Sequence, residues 1–419
     1  MTGPSPEEVF AQLSQEPGAV WLDGGNATTG WSIVSFKPDE IITECTDWRE
    51  TGRRLAQDFD PGRLPFSGGV IGYIGYGAGA QVAPVPRQDS TWEPELWLGR
   101  YPGGMCYDHK NAKWHLAGSQ SFTRRAKKLL AAATPLSLPE PRPEATHYQS
   151  IEKENFIAAV QRIHEWLLAG DCYQINLTRP VWLDGVGKPW PAYRRLRAHS
   201  APKYGAFLNL ESSLAVLSNS PELLLTYDQG YAASEPIKGT RPRGEHPIED
   251  AQYRDALLHS RKDQAELTMI VDLVRNDLGK IAQPGTVKTS ARIIQSHANV
   301  HHASRHVKAI LRPDIDAWSA LGALFPPGSV TGAPKIRACE RINQLETHPR
   351  GTYCGAIGYA SGSRACFNVS IRTAVWRKDQ CRYHVGGGIV IDSKPMDEWW
   401  ETVHKAAAMA QAYGAPIER

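Results

Sequence analysis

Long apolar runs are missing from this 419-residue sequence, and so is any excess of charge of one sign. Without a stretch of about 20 consecutive apolar residues, no membrane-spanning helix is expected. The first ten residues carry Glu7 and Glu8 and no apolar run that would read as a secretory leader. Lys plus Arg number 47 against 44 Asp plus Glu. These charges are dispersed, so a basic groove for nucleic acid is not expected either. Cysteine is sparse: seven residues, at 45, 106, 172, 339, 354, 366 and 381, with no Cys-x-x-Cys pair. An odd, scattered set reads as reduced thiols, buried for the most part. The expectation is a soluble, cytoplasmic chain whose partners are small molecules or proteins.

What is there is an ordinary globular balance, 41% hydrophobic and 22% charged, enough for one large or two ordinary domains. The clearest boundary is residues 135–143, where four prolines follow a helical stretch. This divides the chain into an N-terminal subdomain, 1–134, a Pro-rich linker, 135–145, and a larger region, 146–419. Upstream, residues 20–22, 31–36 and 96–98 read as strands and 121–133 as a basic-faced helix. Glycines at 68, 69, 72, 75, 77 and 79 alternate with Val70, Ile71, Tyr73, Ile74 and Tyr76. They suggest a strand closely approached by another backbone. A nucleotide-binding loop is the other reading, but no Gly-Lys-Ser/Thr follows.

Downstream, Phe156, Val160, Ile163 and Leu167 give helical spacing over 153–169. Strand-like runs cover 213–218, 223–227, 355–359, 367–376 and 381–392, and helical patterns cover 261–278, 334–345 and 398–413. Strands and helices come in runs, which favours an α+β layout with antiparallel sheets.

Lys238 lies in a Gly/Pro-punctuated segment, Pro236-Ile237-Lys238-Gly239-Thr240-Arg241-Pro242-Arg243, that reads as a turn. A free lysine, with a pKa of ~10.4, is almost wholly protonated at pH 7. The like charges of Arg241 and Arg243, with desolvation, would lower that pKa and release a nucleophilic amine. A solvated lysine in a surface turn is the plainer reading. Asp263 with Glu266, and Glu398 with Glu401, have i, i+3 helical spacing and suit a hard divalent ion such as Mg²⁺. Solvated helix faces, with Glu401 pairing Lys405, are the alternative. His297, His301, His302 and His306 have spacings that would line one helix face, suggesting zinc or, failing that, a proton donor. Arg305 and the absence of a glutamate between the histidines argue against zinc. Gly386-Gly387-Gly388 offers unshielded N–H groups for a carboxylate, and Arg372, expected on a neighbouring strand, offers a bidentate clamp.

In order along the chain, these segments resemble the chorismate-utilising enzymes, densely from about Asp171 onward and loosely before it. The resemblance rests on residues 170–177 (GDCYQINL), Ser220-Pro221-Glu222, Lys238-Gly239-Thr240-Arg241-Pro242-Arg243 and residues 269–278 (MIVDLVRNDL). Thr331-Gly332-Ala333-Pro334-Lys335, residues 350–359 and Ile371-Arg372-Thr373 follow in family order. It implies a chorismate-utilising fold, α+β, with two packed antiparallel β-sheets and helices outside. Isochorismate and salicylate synthases carry a water-activating lysine where this chain has Gln174. Anthranilate synthases usually have a small residue where it has Lys238. The pattern is similar to the members that aminate C4 of chorismate.

For those members the resemblance implies Lys238 as a nucleophile at C2, Glu222 as general acid for the leaving hydroxyl, and ammonia as the final nucleophile at C4. It implies Mg²⁺ held by Glu266 and Glu401, with Asp263 and Glu398 reaching its waters. Arg372, Tyr353 and Gly386, Gly387 and Gly388 would hold the enolpyruvyl carboxylate. Gly239 and Thr240 would line the ring site, Lys405 would add positive charge, and His302 would stand near the reacting ring. The chain departs from the family at His302-Ala303-Ser304, where Leu and Val usually follow the histidine, at Leu267 and at Cys366. It carries no recognisable glutaminase segment, which implies a separate glutamine amidotransferase subunit as the ammonia source. Trp21-Leu22-Asp23-Gly24 stands where tryptophan-sensing relatives have Leu-Leu-Glu-Ser, which weakens the case for feedback inhibition. The rival expectations are amination at C2 with loss of pyruvate, a pyridoxal phosphate aldimine on Lys238, and a non-catalytic scaffold for the amidotransferase.

Overall fold

The computed structural model describes residues 3–25, 29–60, 62–139, 143–297 and 300–416. Segments from both sides of the proline-rich stretch interleave in two broad sheets. The first, of eleven strands, runs Gly332–Ala333, Gln174–Asp184, Gln380–Ile389, Thr373–Arg377, Leu214–Ser220, Tyr204–Glu211, Val20–Asp23, Trp31–Ser35, Gly103–Asp108 and Lys113–Gly118, with His147–Ser150 also pairing Gln174–Asp184. The second, of nine, runs Lys288–Thr289, Val307–Ile310, Tyr231–Glu235, Leu223–Asp228, Arg364–Val369, Ala356–Ser361, Gly69–Ile74, Leu96–Tyr101 and Glu40–Ile42. A small third sheet joins Ile237–Pro242, Val300–Ser304 and Ile293–Ser296. The ladders are antiparallel in all three sheets.

Side-chain alternation fills the space between the large sheets. Val20, Ile33, Leu208 and Val216 meet Ile71, Tyr73, Trp97 and Ile357, all buried. The glycine-rich strand behaves as its composition suggests: a Cβ on Gly72 would stand 1.9 Å from Trp97 O, so only glycine admits the neighbouring backbone. Helices cover the outer faces. Arg261–Gly279 is started by Ser260, whose hydroxyl accepts from Asp263 N at 3.2 Å. Its buried stripe of Leu267, Ile270, Val271, Val274 and Leu278 has the period that seats a helix on a core. No helix among the described residues is long and apolar enough to cross a membrane. All seven cysteines are free, five of them buried.

The two large sheets share strands end to end. Leu214–Ser220 leaves the first sheet and, through Pro221 and Glu222, becomes Leu223–Asp228 of the second. Arg364–Val369 returns through Ser370, Ile371 and Arg372 to Thr373–Arg377 of the first. The expected single strand over 367–376 is therefore two strands in different sheets, and Arg372 stands at the corner with φ +50°. The corners are bonded to each other: Val369 N donates to Glu222 O at 3.0 Å, and Ser220 Oγ to Val369 O at 2.6 Å. Sheet switching of this kind is how stacked sheets turn corners.

Beside these corners lies a buried ion pair. Arg350, fully buried, forks onto Glu346 at 2.7 and 2.8 Å and donates to Val330 O at 2.7 Å and Asn176 O at 2.8 Å. Arg350→Ala would leave the Glu346 carboxylate buried without its partner and two carbonyls unsatisfied. A loss of about 3–5 kcal/mol in urea unfolding is expected, whereas Arg350→Ala at wild-type stability would show that water replaces the guanidinium.

A cavity of about 330 Å³ opens between the large sheets, lined by residues that include Leu22, Asp23, Trp31, Tyr204, Tyr359 and Asn368. Asp23 is already committed there: it accepts from Arg197 at 2.7 Å, Tyr193 at 3.1 Å and Gly25 N at 2.8 Å.

Candidate active site

Lys238 lies on a strand, not in the turn its Gly/Pro surroundings suggest. Gly239, at φ +86°, makes a bulge, and the pairing with Val300–Ser304 slips between Ile237 and Thr240. The bulge lets the segment close over helix Arg261–Gly279: a Cβ on Gly239 would be 3.0 Å from Asp263. It sends Lys238 toward the end of strand Gln380–Ile389. A Cβ on Gly388 would lie 3.2 Å from Lys238 Nζ and 2.8 Å from Gln174 Nε2, so the missing side chain leaves room above the amine.

Burial lowers the Lys238 pKa and Lys405 adds to it, against Glu266, Glu222 and Glu401. The direction and the part played by desolvation agree with the sequence expectation; the source of the like charge does not. Arg241 is paired with Asp263 at 2.8 Å and Arg243 with Asp250 at 2.6 Å. Neither guanidinium is among the strongest influences on the amine. The second cation of the site is Lys405, from helix Pro395–Tyr413.

Glu222, 4% exposed at its corner, is pushed up to about 7 by burial. Hydrogen bonds from Ser329 and Ile237 N–H and the charge on Lys238 oppose the rise, and Glu235 reinforces it. A carboxyl group that holds its proton near neutrality therefore shares a site with an amine whose ammonium form is disfavoured. Two titratable groups displaced toward each other are a common basis for acid–base chemistry.

The acid pairs separate in the fold. Glu398 is 4% exposed, raised by burial and by Glu401. Glu401 is pushed up by burial, but Lys405 at 2.6 Å, with Lys238 and Lys262, outweighs that and holds it low. Both reach the backbone of Gly387, where a Cβ would stand 3.1 Å from Glu401 Oε1 and 3.3 Å from Glu398 Oε2. Glu266 is raised by burial, with Asp263 and Glu401 adding and Lys238 opposing. Asp263 itself is turned to Arg241. Among the described residues, no group of three or more His, Cys, Asp or Glu side chains stands ready to hold an ion. Glu401, with Glu398 beside it over a bare glycine and Glu266 near enough for their charges to interact, fits Mg²⁺, which takes one or two protein carboxylates and completes its shell with water and substrate oxygens.

The histidines do not share a helix face. His301 and His302 are neighbours on strand Val300–Ser304 and point to opposite sides. His301 Nε2 meets Asp250 at 2.9 Å and its Nδ1 meets Ser296 Oγ at 2.8 Å. His302 turns inward, with Nδ1 3.0 Å from Thr240 Oγ1. Burial keeps His302 neutral, and Arg372 and His297 add to this. His306 lies outside the site, 3.6 Å from Glu235. Arg372 makes no ion pair among the described residues, and burial lowers its pKa while Tyr353 opposes. Tyr353 stacks on His384, centroids 5.4 Å apart and planes at 15°. Lys405 Nζ also donates to Gly386 O at 2.8 Å.

Nothing in the sequence marks His384, and the histidine spacing suggests a helix face for His297, which instead follows strand Ile293–Ser296. His384 is 2% exposed with both ring nitrogens unpartnered, a signal only burial reveals. The Gln174 carboxamide is fully buried with neither polar atom bonded, beside Lys238. Buried polar groups are ordinarily satisfied, and among the described residues these two side chains keep their hydrogen-bonding capacity open to a bound molecule.

A proton-holding carboxyl group, a suppressed ammonium and an unpaired guanidinium, gathered where two antiparallel sheets exchange strands, define an enzyme for an anionic substrate. The chain matches the family model for chorismate binding enzymes over residues 18–411, and it belongs to that family. It is 37% identical over 431 residues to aminodeoxychorismate synthase component 1 of Klebsiella aerogenes, covering 95% of this chain and 94% of the relative. It is 34% identical over 369 residues to anthranilate synthase component 1 of Acinetobacter calcoaceticus, covering 83% and 74%. Anthranilate synthase component I from Streptococcus pneumoniae TIGR4 superposes with a TM-score of 0.80 at 27% identity, over 90% of this chain and 92% of that one.

Proposed function

We propose that this chain is the synthase subunit of an aminodeoxychorismate synthase, which replaces the C4 hydroxyl of chorismate by an amino group. The observation that carries the reading is the placement of Lys238: a half-buried amine, lowered in pKa by burial and Lys405, with Nζ over Gly388 and near Glu222. Anthranilate synthesis needs no lysine nucleophile. Neutral Lys238 attacks C2 as the ring double bonds shift and the C4–O bond breaks, and Glu222 donates its proton so that water departs. Ammonia then forms the C4–N bond, the double bonds shift back, and the lysine nitrogen leaves C2 with the bonding pair as a neutral amine. The C4 ammonium returns a proton to Glu222, which resets both groups.

Arg372 and Tyr353, with the backbone of Gly386 to Gly388, would bind the enolpyruvyl carboxylate, Gly239 and Thr240 would line the ring, and His302 would face it as a neutral imidazole. Glu266 and Glu401 would hold Mg²⁺, with Glu398, and Asp263 when released from Arg241, reaching its waters. When bound, the ion would supply positive charge against the ring carboxylate of the substrate. Ammonia comes from a glutamine amidotransferase partner.

With chorismate, Mg²⁺ and ammonium, the purified chain is expected to form aminodeoxychorismate, converted by added lyase to 4-aminobenzoate, and EDTA should stop the reaction. With glutamine in place of ammonium, product should appear only after the partner is added. Fluorescent anthranilate as the main product would overturn the assignment.

A further inference from the structure

We infer that His297 is a further substrate-binding residue: its imidazole joins Arg372 and His302 in one anion site that takes the side-chain carboxylate of the substrate. This rests on the reading of chorismate as substrate and adds a residue outside the family motifs that carry that reading.

His297 follows strand Ile293–Ser296 at the tip of a hairpin, and its N–H donates to Val300 O at 2.8 Å. Its carbonyl accepts from Arg243 Nη1 at 2.6 Å, and Arg243 is itself forked on Asp250 at 2.6 and 3.0 Å. Asp250 also accepts from Gly244 N at 3.0 Å and meets His301 Nε2 at 2.9 Å. The backbone that carries the ring is thus braced from the outer face of the small sheet. The ring turns the other way and lies against His302, centroids 5.4 Å apart and planes at 59°.

The inward nitrogens have no partner among the described residues. Nε2 of His297 and Nε2 of His302 are both buried and unpartnered. Arg372 is the strongest charge acting on either ring and has no carboxylate of its own among the described residues. A site with a guanidinium and two imidazoles and no ion pair to Arg372 suits a planar anion whose oxygens accept from all three. It does not suit zinc, because the guanidinium would face the metal. Glu235 and His301 are the other titratable groups acting on His297. Glu235 is already held by Ser304 Oγ at 2.9 Å and by Gln295. Bracing of this kind pre-organises a donor before the ligand arrives.

The test compares His297→Phe, which keeps the ring packing on His302 but removes Nε2, with His297→Gln, which restores a donor near that position. Chorismate affinity is measured by calorimetry, KM for chorismate and for ammonium by turnover, and Tm by thermal unfolding. His297→Phe is expected to weaken chorismate binding and raise its KM about tenfold, the scale of one hydrogen bond to a charged group. KM for ammonium and Tm should stay unchanged, and His297→Gln should remain within about threefold of wild type. Equal chorismate affinity in wild type and His297→Phe, or equal losses in Phe and Gln, would overturn the inference. Failure of wild type to bind chorismate would instead remove the functional reading beneath it.

Discussion

Replacing Lys238 by alanine is expected to lower C4 amination roughly a thousandfold, about 4 kcal/mol in barrier, with chorismate binding largely retained. On the proposed reading the loss is large because the amine would split one difficult displacement into two. Its surroundings are also arranged for that state: burial and Lys405 disfavour the ammonium, while Glu266, Glu222 and Glu401 keep the penalty from becoming complete. Intact-protein mass measurement after mixing with chorismate should reveal an adduct on wild type and none on Lys238→Ala. Equal amination by both proteins, with no adduct on either, would mean that ammonia attacks C4 directly and that Lys238 only shapes the pocket.

Glu222→Gln carries the second large effect, a fall of roughly a hundred- to a thousandfold in turnover, on the scale of lost general acid catalysis. On the proposed reading the acid form would be the working one on substrate arrival, so activity of wild type should decline as pH rises through about 7. Stability follows with a defined sign. Between its unfolded value near 4.5 and about 7, the native protein keeps a proton that the unfolded chain has released. The contribution of Glu222 is therefore full below about 4.5 and lost progressively as pH rises to about 7. Glu222→Gln should flatten that part of the stability profile in urea titrations. An unchanged pH–rate limb in the variant would assign the acid elsewhere.

The helices that carry the acid pairs were legible because each seats a long apolar stripe of one period on a core, and the glycine-rich strand 69–74 because its small residues suggest a close neighbour and no phosphate-binding Gly-Lys-Ser/Thr follows them. Strand Gln174–Asp184 was not. Pro180 and a fully buried Arg179 argue locally against a central strand, and only tertiary partners resolve the conflict: Arg179 donates to Thr402 Oγ1 at 2.9 Å and lies 4.3 Å over the Trp399 ring. The histidine spacing misled for a simpler reason. A separation of four fits a helix face and, being even, a strand face as well. The adjacent pair His301 and His302 holds the discriminating information, because neighbours on a strand must face opposite ways. The motif order placed Lys238 beside Glu222, but no sequence distance contains the bulge at Gly239 that aims the amine, or the ion pairs that remove Arg241 and Arg243 from it.

The corners where the large sheets exchange strands also bear on length. Two residues, Pro221 and Glu222, span one crossing and three, Ser370 to Arg372, span the other. Each crossing joins strands whose registers are locked on both sides. An inserted or deleted residue there would invert every side chain of a following strand between core and solvent, so neither crossing can accommodate a change in length. The Asp228–Tyr231 hairpin, with Gln229 and Gly230 at its exposed tip, has no such double constraint. Length variation in this molecule belongs at hairpin tips such as this one, whereas Glu222 and Arg372 stand on crossings whose lengths are fixed.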